Sequence, residues 1–589
     1  MFDIQEGCLP LYNGNHGTED IYMSYMDEFK FWLEDSYFDQ ATKDELLAIR
    51  NNEGEIEDRF YKELEFGTGG LRGVIGAGTN RMNIYTVRKA SQGLANYIVK
   101  NGGQDKGIAI AYDSRIKSDM FAECAAGVLA ANGIKVYIYP ELMPTPMLSF
   151  AVRRLGCSSG IVLTASHNPS KYNGYKCYDH RGFQITDEAA AKTYDYMKKV
   201  DMFEGVKRMS FEDALAEDMV DYIEDWLKDE FIDCVLACSV NKDAVKNSGI
   251  KVLYTPLNGT GNKPVRRVLK KLGVSELQVV KSQEKPDGNF PTCPYPNPEI
   301  RQVFEEGLQL TEEFPADIMI ATDPDCDRVG IAVRDNGEYK LMTGNEVGAM
   351  LCEYLLTQLK AKGKLPENPM VVKTIVTTPL ISAICKEYGA DMADLLTGFK
   401  YIGELVTELE EKGEADRYVL GLEESYGYLT GTHARDKDGV NAAMIICEMA
   451  AYYKTQGITL WQFMNSIYDK YGYFFNKLDN YAFEGAAGMQ KMADMMDELR
   501  NNPPKELNGS KICWVGDYKA GITTDGETGL PKSNVLSYRM ESGDTFIVRP
   551  SGTEPKIKIY ITAKASSREE AEEKLSVLSS CIKNLLGIE

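Results

Sequence analysis

Three aspartates at alternate positions, Asp323, Asp325 and Asp327 in the run Asp-Pro-Asp-Cys-Asp-Arg, carry the most specific chemistry in the sequence. In an extended segment residues two apart point the same way, so this spacing predicts that the three carboxylates converge. Converging carboxylates repel unless a divalent cation sits among them. An all-oxygen set favours Mg2+, which keeps positions open for phosphate oxygens. A calcium loop of the EF-hand type does not fit, because its sixth position is Arg328 rather than Gly and its twelfth is Arg334 rather than Glu. A solvated acidic loop is the alternative, and the apolar run leading straight into Asp323 weighs against it.

A second segment, Thr164-Ala165-Ser166-His167-Asn168-Pro169, follows the apolar run Ile161-Val162-Leu163. Ser166 is there exposed to a ligand, and Lys176, further along the chain, is a cation able to accompany an anion on the serine oxygen. An ordinary Ser/Asn turn fits the same residues. A serine hydrolase does not. Gly156-Cys157-Ser158-Ser159-Gly160 matches G-x-S-x-G, but a nucleophile elbow needs a strand before it, and here the strand follows.

The other segments are less specific. In Gly421-Leu422-Glu423-Glu424-Ser425-Tyr426-Gly427, carboxylates and a hydroxyl beside glycines suit sugar hydroxyls, or simply a solvated loop. In Arg549-Pro550-Ser551-Gly552-Thr553-Glu554-Pro555-Lys556, one Arg, two hydroxyls and a Gly that frees backbone N–H groups suit a phosphate, or a hairpin loop. Phe66-Gly67-Thr68-Gly69-Gly70-Leu71-Arg72-Gly73 is a further Gly-rich turn with an Arg. It is neither G-x-G-x-x-G nor a Walker A loop, so a Rossmann cofactor and P-loop chemistry have no support.

These segments need elements to hold them. Residues 18–65 are charged and aromatic, with helical spacing at Tyr25, Phe29 and Trp32. After them, β-rich runs alternate with helical stretches: strands at 107–113, 135–140 and 161–166, helices at 87–100, from Ser118 and at 146–155. The rhythm restarts at 251–256, 277–280 and 317–323, and again at 370–375, 393–398 and 417–425. Such alternation predicts βαβ units and mainly parallel sheets, with function at the carboxyl ends of strands. The last hundred residues differ, with neighbouring strands and then a helix opened by Ser567 and Glu570 in capping-box spacing. The reading is three α/β units and one α+β domain, bounded at 1–212, 213–336, 337–470 and 471–589.

Composition narrows the partners. With 88 acidic against 66 basic residues the formal charge is −22, which excludes nucleic acid and disfavours an anionic membrane. No secretory signal and no apolar run of about 18–20 residues is visible. Thirteen dispersed cysteines without a C-x-x-C pair fit a reducing cytoplasm. Only four histidines limit any zinc site.

Taken in order, GTGGLRG, TASHNPSKYNGYK, DPDCDR, GLEESYGY and RPSGTEPKIK resemble the α-D-phosphohexomutases, the phosphoglucomutase/phosphomannomutase superfamily, from about residue 60 to the C-terminus. The resemblance implies four domains around a central cleft, three similar α/β domains with mixed sheets and a smaller C-terminal α+β domain. It implies that Ser166 is a phosphoserine whose phosphate joins Asp323, Asp325 and Asp327 around Mg2+. Arg72, His167, Lys176 and Arg328 match positions around the transferring group. Lys176 is the candidate general acid/base, on condition that its neighbours lower its pKa. Thr68 and Lys437 match substrate-binding positions; Glu423 and Ser425 match the sugar-hydroxyl loop. Thr397-Gly398-Phe399-Lys400 resembles the loop that distinguishes sugar orientations, and Arg549, Ser551, Gly552 and Thr553 match the loop that grips the non-reacting phosphate.

The implied activity interconverts glucose 1-phosphate and glucose 6-phosphate through glucose 1,6-bisphosphate, by a monomer or dimer. Phosphopentomutase, phosphomannomutase, a metal-dependent phosphatase and a non-catalytic phosphosugar-binding protein are the alternatives. Two departures stand out. Cys326 replaces a small Gly or Ala, and Leu422 replaces the Gly before the two glutamates. Residues 1–60 make the chain similar to the longer bacterial-type phosphoglucomutases.

Overall fold

The computed structural model of the protein describes residues 24–67, 69–483, 485–551 and 556–588. Helices Tyr25–Glu34, Gln40–Ile49 and Glu53–Phe60 each begin at a capping side chain. Ser24, Asp39 and Asn52 accept from the backbone N–H three residues on, satisfying donors that a helix start leaves orphaned. The aromatic spacing turns Phe29 and Trp32 inward. Trp32 stacks on Phe38 at 4.3 Å and meets Phe60 and Tyr85 edge-on. The three helices thereby pack on the helix Ile84–Lys100 of the first domain.

Four sheets follow in chain order. The first runs Gly70–Val74, Tyr172–Asp179, Ser159–Leu163, Ile108–Tyr112, Val136–Ile138, Val220–Tyr222. The second runs Glu338–Met342, Val329–Asp335, Ile318–Thr322, Lys251–Thr255, Glu276–Val279. The third runs Asp391–Leu395, Met370–Thr374, Tyr418–Glu423, Gly427–Leu429. In each, one fully buried strand has a parallel partner on one side and an antiparallel return on the other: Ser159–Leu163, Ile318–Thr322 and Tyr418–Glu423. The chain therefore belongs to the α/β class with mixed sheets. The mainly parallel pairing expected from strand rhythm holds in the first and third sheets, and the antiparallel returns make all three sheets mixed.

The fourth sheet is antiparallel, with Tyr473–Ala482 on Lys556–Ala565, then Thr545–Pro550, Leu536–Met540 and Ser510–Asp517, and the helix Arg568–Leu585 beside it. It has its own core around Met496, Tyr538, Phe546, Ile559 and Leu578, whereas one large core runs through the first three domains. Ser567 caps its helix as the spacing predicts, but Glu570 returns to Ser566 N–H and hydroxyl rather than to Ser567, so the box is displaced by one residue. The first sheet takes its last strand, Val220–Tyr222, from beyond residue 212. No helix among the described residues is long and apolar enough to cross a membrane.

Candidate active site

After Leu163 the chain must turn before returning antiparallel at Tyr172. Ser166 sits in that turn with φ of 53°, a left-handed conformation costly for a residue with a Cβ. The surroundings hold it there. Thr164 Oγ1 accepts from Ser166 N–H at 2.8 Å and donates to Asp113 Oδ2 at 2.6 Å. The buried Arg115 guanidinium donates to the carbonyls of Ser166, Asn168, Pro169 and Tyr172, with Asp113 3.3 Å from it as counter-charge. The hydroxyl so fixed donates to Asp323 Oδ2 of the second domain at 3.0 Å and lies 3.1 Å from His167 Nδ1.

The aspartates do converge, by a different geometry from the extended run expected. Cys326 N–H bonds back to Asp323 O at 2.9 Å and Cys326 has φ of 53°, so the segment is a tight turn. Asp323 Oδ1 closes it by accepting from the N–H groups of Asp327 and Arg328, both at 3.0 Å. Three successive carbonyls of the turn are each tied to a different domain. Pro324 O accepts from Thr260 N–H at 2.8 Å, Asp325 O from Thr145 N–H at 2.9 Å, and Cys326 O from Gly439 N–H at 3.0 Å.

One oxygen from each aspartate lies within 4.8 Å of the others. All three residues are buried, and Asp325 Oδ1 and Asp327 Oδ1 make no hydrogen bond among the described residues. Buried carboxylate oxygens without donors, in an all-oxygen set, fit a divalent cation such as Mg2+. Burial and the two neighbouring aspartates push the Asp323 carboxyl well above the usual carboxylate range. Burial acts the same way on Asp325, but the Lys176 ammonium 2.8 Å away overrides it and holds that group low. Lys437 lies 3.3 Å from Asp327 and 3.0 Å from Asp436.

Burial and the cations Arg328 and Arg72 keep the His167 imidazole neutral. For Lys176 burial opposes the charge, yet Asp325 and Asp327 raise its pKa above the ordinary lysine value. The condition set for Lys176 as a general acid/base is thus not met by these neighbours. Its ammonium is a fixed cation on the strand Tyr172–Asp179, one strand from Ser166.

A cleft of about 460 Å³ is lined by Arg72 and Lys176 of the first domain and Arg549, Ser551 and Lys558 of the fourth. Gly70 lets the Arg72 strand approach this wall: a Cβ there would collide with Tyr175 O of the neighbouring strand. A smaller cavity of about 150 Å³ shares Gln184 and Arg549 with the cleft and is lined by Thr397, Gly398 and Lys400. Glu423 Oε1 accepts from Gly398 N–H at 3.0 Å, joining the two loops of the third domain. Burial pushes Glu423 up to about 7, against the pull of Lys437. Ser425 is half-buried in the following turn. Thr68, Gly552 and Thr553 lie outside the described residues.

Several contributors were not read from the sequence. Asp113 and Arg115 end an apolar strand as Tyr-Asp-Ser-Arg, an ionisable pair at a carboxyl end, which was the available signal. A segment of the second domain brings Glu299 to 2.6 Å from Arg328 Nη1 and Tyr295 edge-on to His167 at 6.0 Å. Its Pro-rich sequence carries no periodic pattern. Glu424 accepts from Thr374 and Thr377 hydroxyls at 2.9 and 3.2 Å.

Four family descriptions match the chain in succession: phosphoglucomutase/phosphomannomutase alpha/beta/alpha domain I over residues 63–204, domain II over 229–337, domain III over 343–471 and the C-terminal domain over 491–579. A phosphoglucomutase of Staphylococcus saprophyticus is 34% identical over 519 residues, covering 87% of this chain and 92% of that protein. One of Staphylococcus aureus is 32% identical over 566 residues, covering 94% and 99%. Among solved structures, the phosphoglucomutase parafusin of Paramecium, in an open form, superimposes with a TM-score of 0.68 at 19% identity, covering 90% of this chain and 95% of that one. A phosphomannomutase structure from Thermus thermophilus gives 0.66 at 22% identity, covering 89% and 99%. With the serine turn, the aspartate cradle and the four sheets in the same order as these family domains, the chain belongs to the phosphoglucomutase/phosphomannomutase family of Mg2+-dependent phosphotransfer enzymes.

Proposed function

We propose that the protein is a phosphoglucomutase that interconverts glucose 1-phosphate and glucose 6-phosphate through a phosphoserine at Ser166. The observation that carries the reading is the Ser166 hydroxyl, held 3.0 Å from one of three converging buried aspartates. Asp323, Asp325 and Asp327, with a phosphoserine oxygen, would hold Mg2+, which supplies positive charge beside the transferring phosphoryl oxygens. The phosphoryl group passes from Ser166 to the primary hydroxyl of glucose 1-phosphate. The P–Oγ bond breaks, a P–O6 bond forms, the O6 proton leaves, and Ser166 Oγ takes up a proton. The resulting glucose 1,6-bisphosphate turns over in the cleft. Its O1–P bond then breaks, O1 gains a proton, and the group returns to Ser166 Oγ. The neutral His167 ring nitrogen 3.1 Å away stands where the serine proton can go.

Lys176, Arg72 and Arg328 serve as fixed cations around the transferring group. Lys437 steadies Asp327, Glu423 and Ser425 bind sugar hydroxyls, and Thr397, Gly398 and Lys400 read the sugar's orientation. Arg549, Ser551, Gly552 and Thr553 grip the phosphate that is not reacting. The described cysteines are all free thiols, which supports a cytoplasmic location. Two measurements test the proposal. Ser166→Ala should lower mutase activity by on the order of 10³-fold or more, and full retention would overturn the mechanism. Comparison of kcat/KM for glucose, mannose and ribose 1-phosphates should favour glucose, with inorganic phosphate release far slower than isomer formation.

A further inference from the structure

The first and third domains meet along a seam that ends at the smaller cavity. Asp187 is the first residue of the helix Asp187–Lys198, and Lys400 lies in the first turn of the helix Phe399–Glu411. Lys400 Nζ is 2.5 Å from Asp187 Oδ1, and Tyr401 Oη donates to Asp187 Oδ2 at 3.0 Å. Both carboxylate oxygens are therefore engaged, by two successive residues of the facing helix. The approach of the two domains is set one turn further on. A Cβ on Gly403 would fall 2.9 Å from Phe183 Cβ and collide with Arg435 O, so only glycine allows the helix this close.

The two partners do not need each other equally. The Asp187 side chain is 56% exposed and stands at a helix N-terminus, where a negative charge is already favoured. Lys400 is 8% exposed, and an ammonium so far from water is costly without a counter-charge. The pairing therefore serves Lys400. What it serves is visible in the cavity between them, where Asp187, Thr397, Lys400, Tyr401 and Arg549 form the wall, and where Thr397 Oγ1 is buried with no hydrogen-bond partner among the described residues.

We infer that Asp187 is a positioning residue for substrate recognition: from the first domain it fixes the place of the Lys400 ammonium in the wall of the cavity in which the sugar phosphate is read. This rests on the reading of the cleft as a phosphosugar site. Asp187 touches no reacting atom; it acts through Lys400. Its effect therefore belongs in KM and in the discrimination between sugars, not in the transfer step.

Asp187→Asn keeps the shape and removes the charge. It should raise KM for glucose 1-phosphate about fivefold to tenfold, with kcat within about twofold. Asp187→Glu, which keeps the charge, should restore most of the loss. Lys400→Met should raise KM by itself, and adding Asp187→Asn to it should change KM by less than about twofold, because the group through which Asp187 acts is gone. An unchanged KM in Asp187→Asn while Lys400→Met raises it, or an Asp187→Asn effect undiminished in the Lys400→Met background, would overturn the role of Asp187 alone. An unchanged KM in Lys400→Met would overturn the reading of the cleft and this role with it.

Discussion

Ser166 combines two properties that work against each other. Its hydroxyl is placed by a left-handed backbone, φ 53°, and its own Cβ makes that backbone unfavourable. Arg115, through four carbonyls, and Thr164, through the Ser166 N–H, hold the turn against the strain. Replacing Ser166 by Ala or by Gly removes the same hydroxyl, so the difference between the two variants isolates the backbone. Ser166→Gly should be more stable than Ser166→Ala by about 1 kcal/mol in chemical denaturation, with both inactive as mutases. Equal stabilities would mean that the turn carries no strain. The same residue-scale view recasts Lys176. Asp325 and Asp327 hold its proton more firmly, which suits a cation that stays in place through the reaction cycle.

At the scale of elements, the three α/β domains place their functional turns identically. Ser166, Cys326 and Tyr426 each follow a buried parallel strand, each precede its antiparallel return, and each is a non-glycine residue with positive φ: 53°, 53° and 68°. The strands leading into these turns were legible because both faces are buried and the runs are apolar. The returns were not: Tyr172–Asp179 mixes polar residues with buried aromatics, Gly427–Leu429 is only three residues long, and Val329–Asp335 follows the aspartate turn directly. For the same reason the aspartates could be named while their turn was taken for an extended run. Partners supplied from distant segments, such as Glu299 on Arg328 within the second domain and Asp187 of the first domain on Lys400 of the third, leave no local pattern at all.

A capping contact makes one element pH-sensitive. His433 Nε2 lies 2.8 Å from Asp438, which caps the helix Gly439–Lys454. Burial opposes the imidazolium, but Asp438 and Cys238 raise His433 to about 9. A folded value above the ordinary 6.5 means that the pairing stabilises fully below pH 6.5 and is lost as pH rises through about 9. The denaturation midpoint should therefore fall between pH 7 and about 9, by at most about 1.4 kcal/mol per pH unit. His433→Gln should remove that slope, and a slope that persists in the variant would assign it elsewhere.

For the whole molecule, the formal charge of −22 coexists with a cleft lined by Arg72, Lys176, Arg549 and Lys558. Net charge weighs against polyanions that must lie along the surface. It says nothing against a small anion drawn into one pocket. The fourth domain supplies one wall of that pocket while keeping a core of its own, and it touches the third through an apolar patch of Val376, Leu396, Tyr518, Val535, Ile547 and Tyr560 and through Arg568, which packs on Trp461 and Tyr468. A chain ending at Gly472 should therefore fold and retain the rise in melting temperature on adding Mg2+, because the aspartates remain. Its mutase activity should fall to background. Loss of the Mg2+ shift would show that the cradle depends on the missing domain.

The aspartate turn has a mechanical consequence. Its carbonyls at 324, 325 and 326, adjacent links of one short chain, are fastened to the second, first and third domains. Adjacent links cannot travel apart, so these three domains are pinned to a common pivot and carry one another along. Among the described residues none of these three ties reaches the fourth domain, which keeps a core of its own.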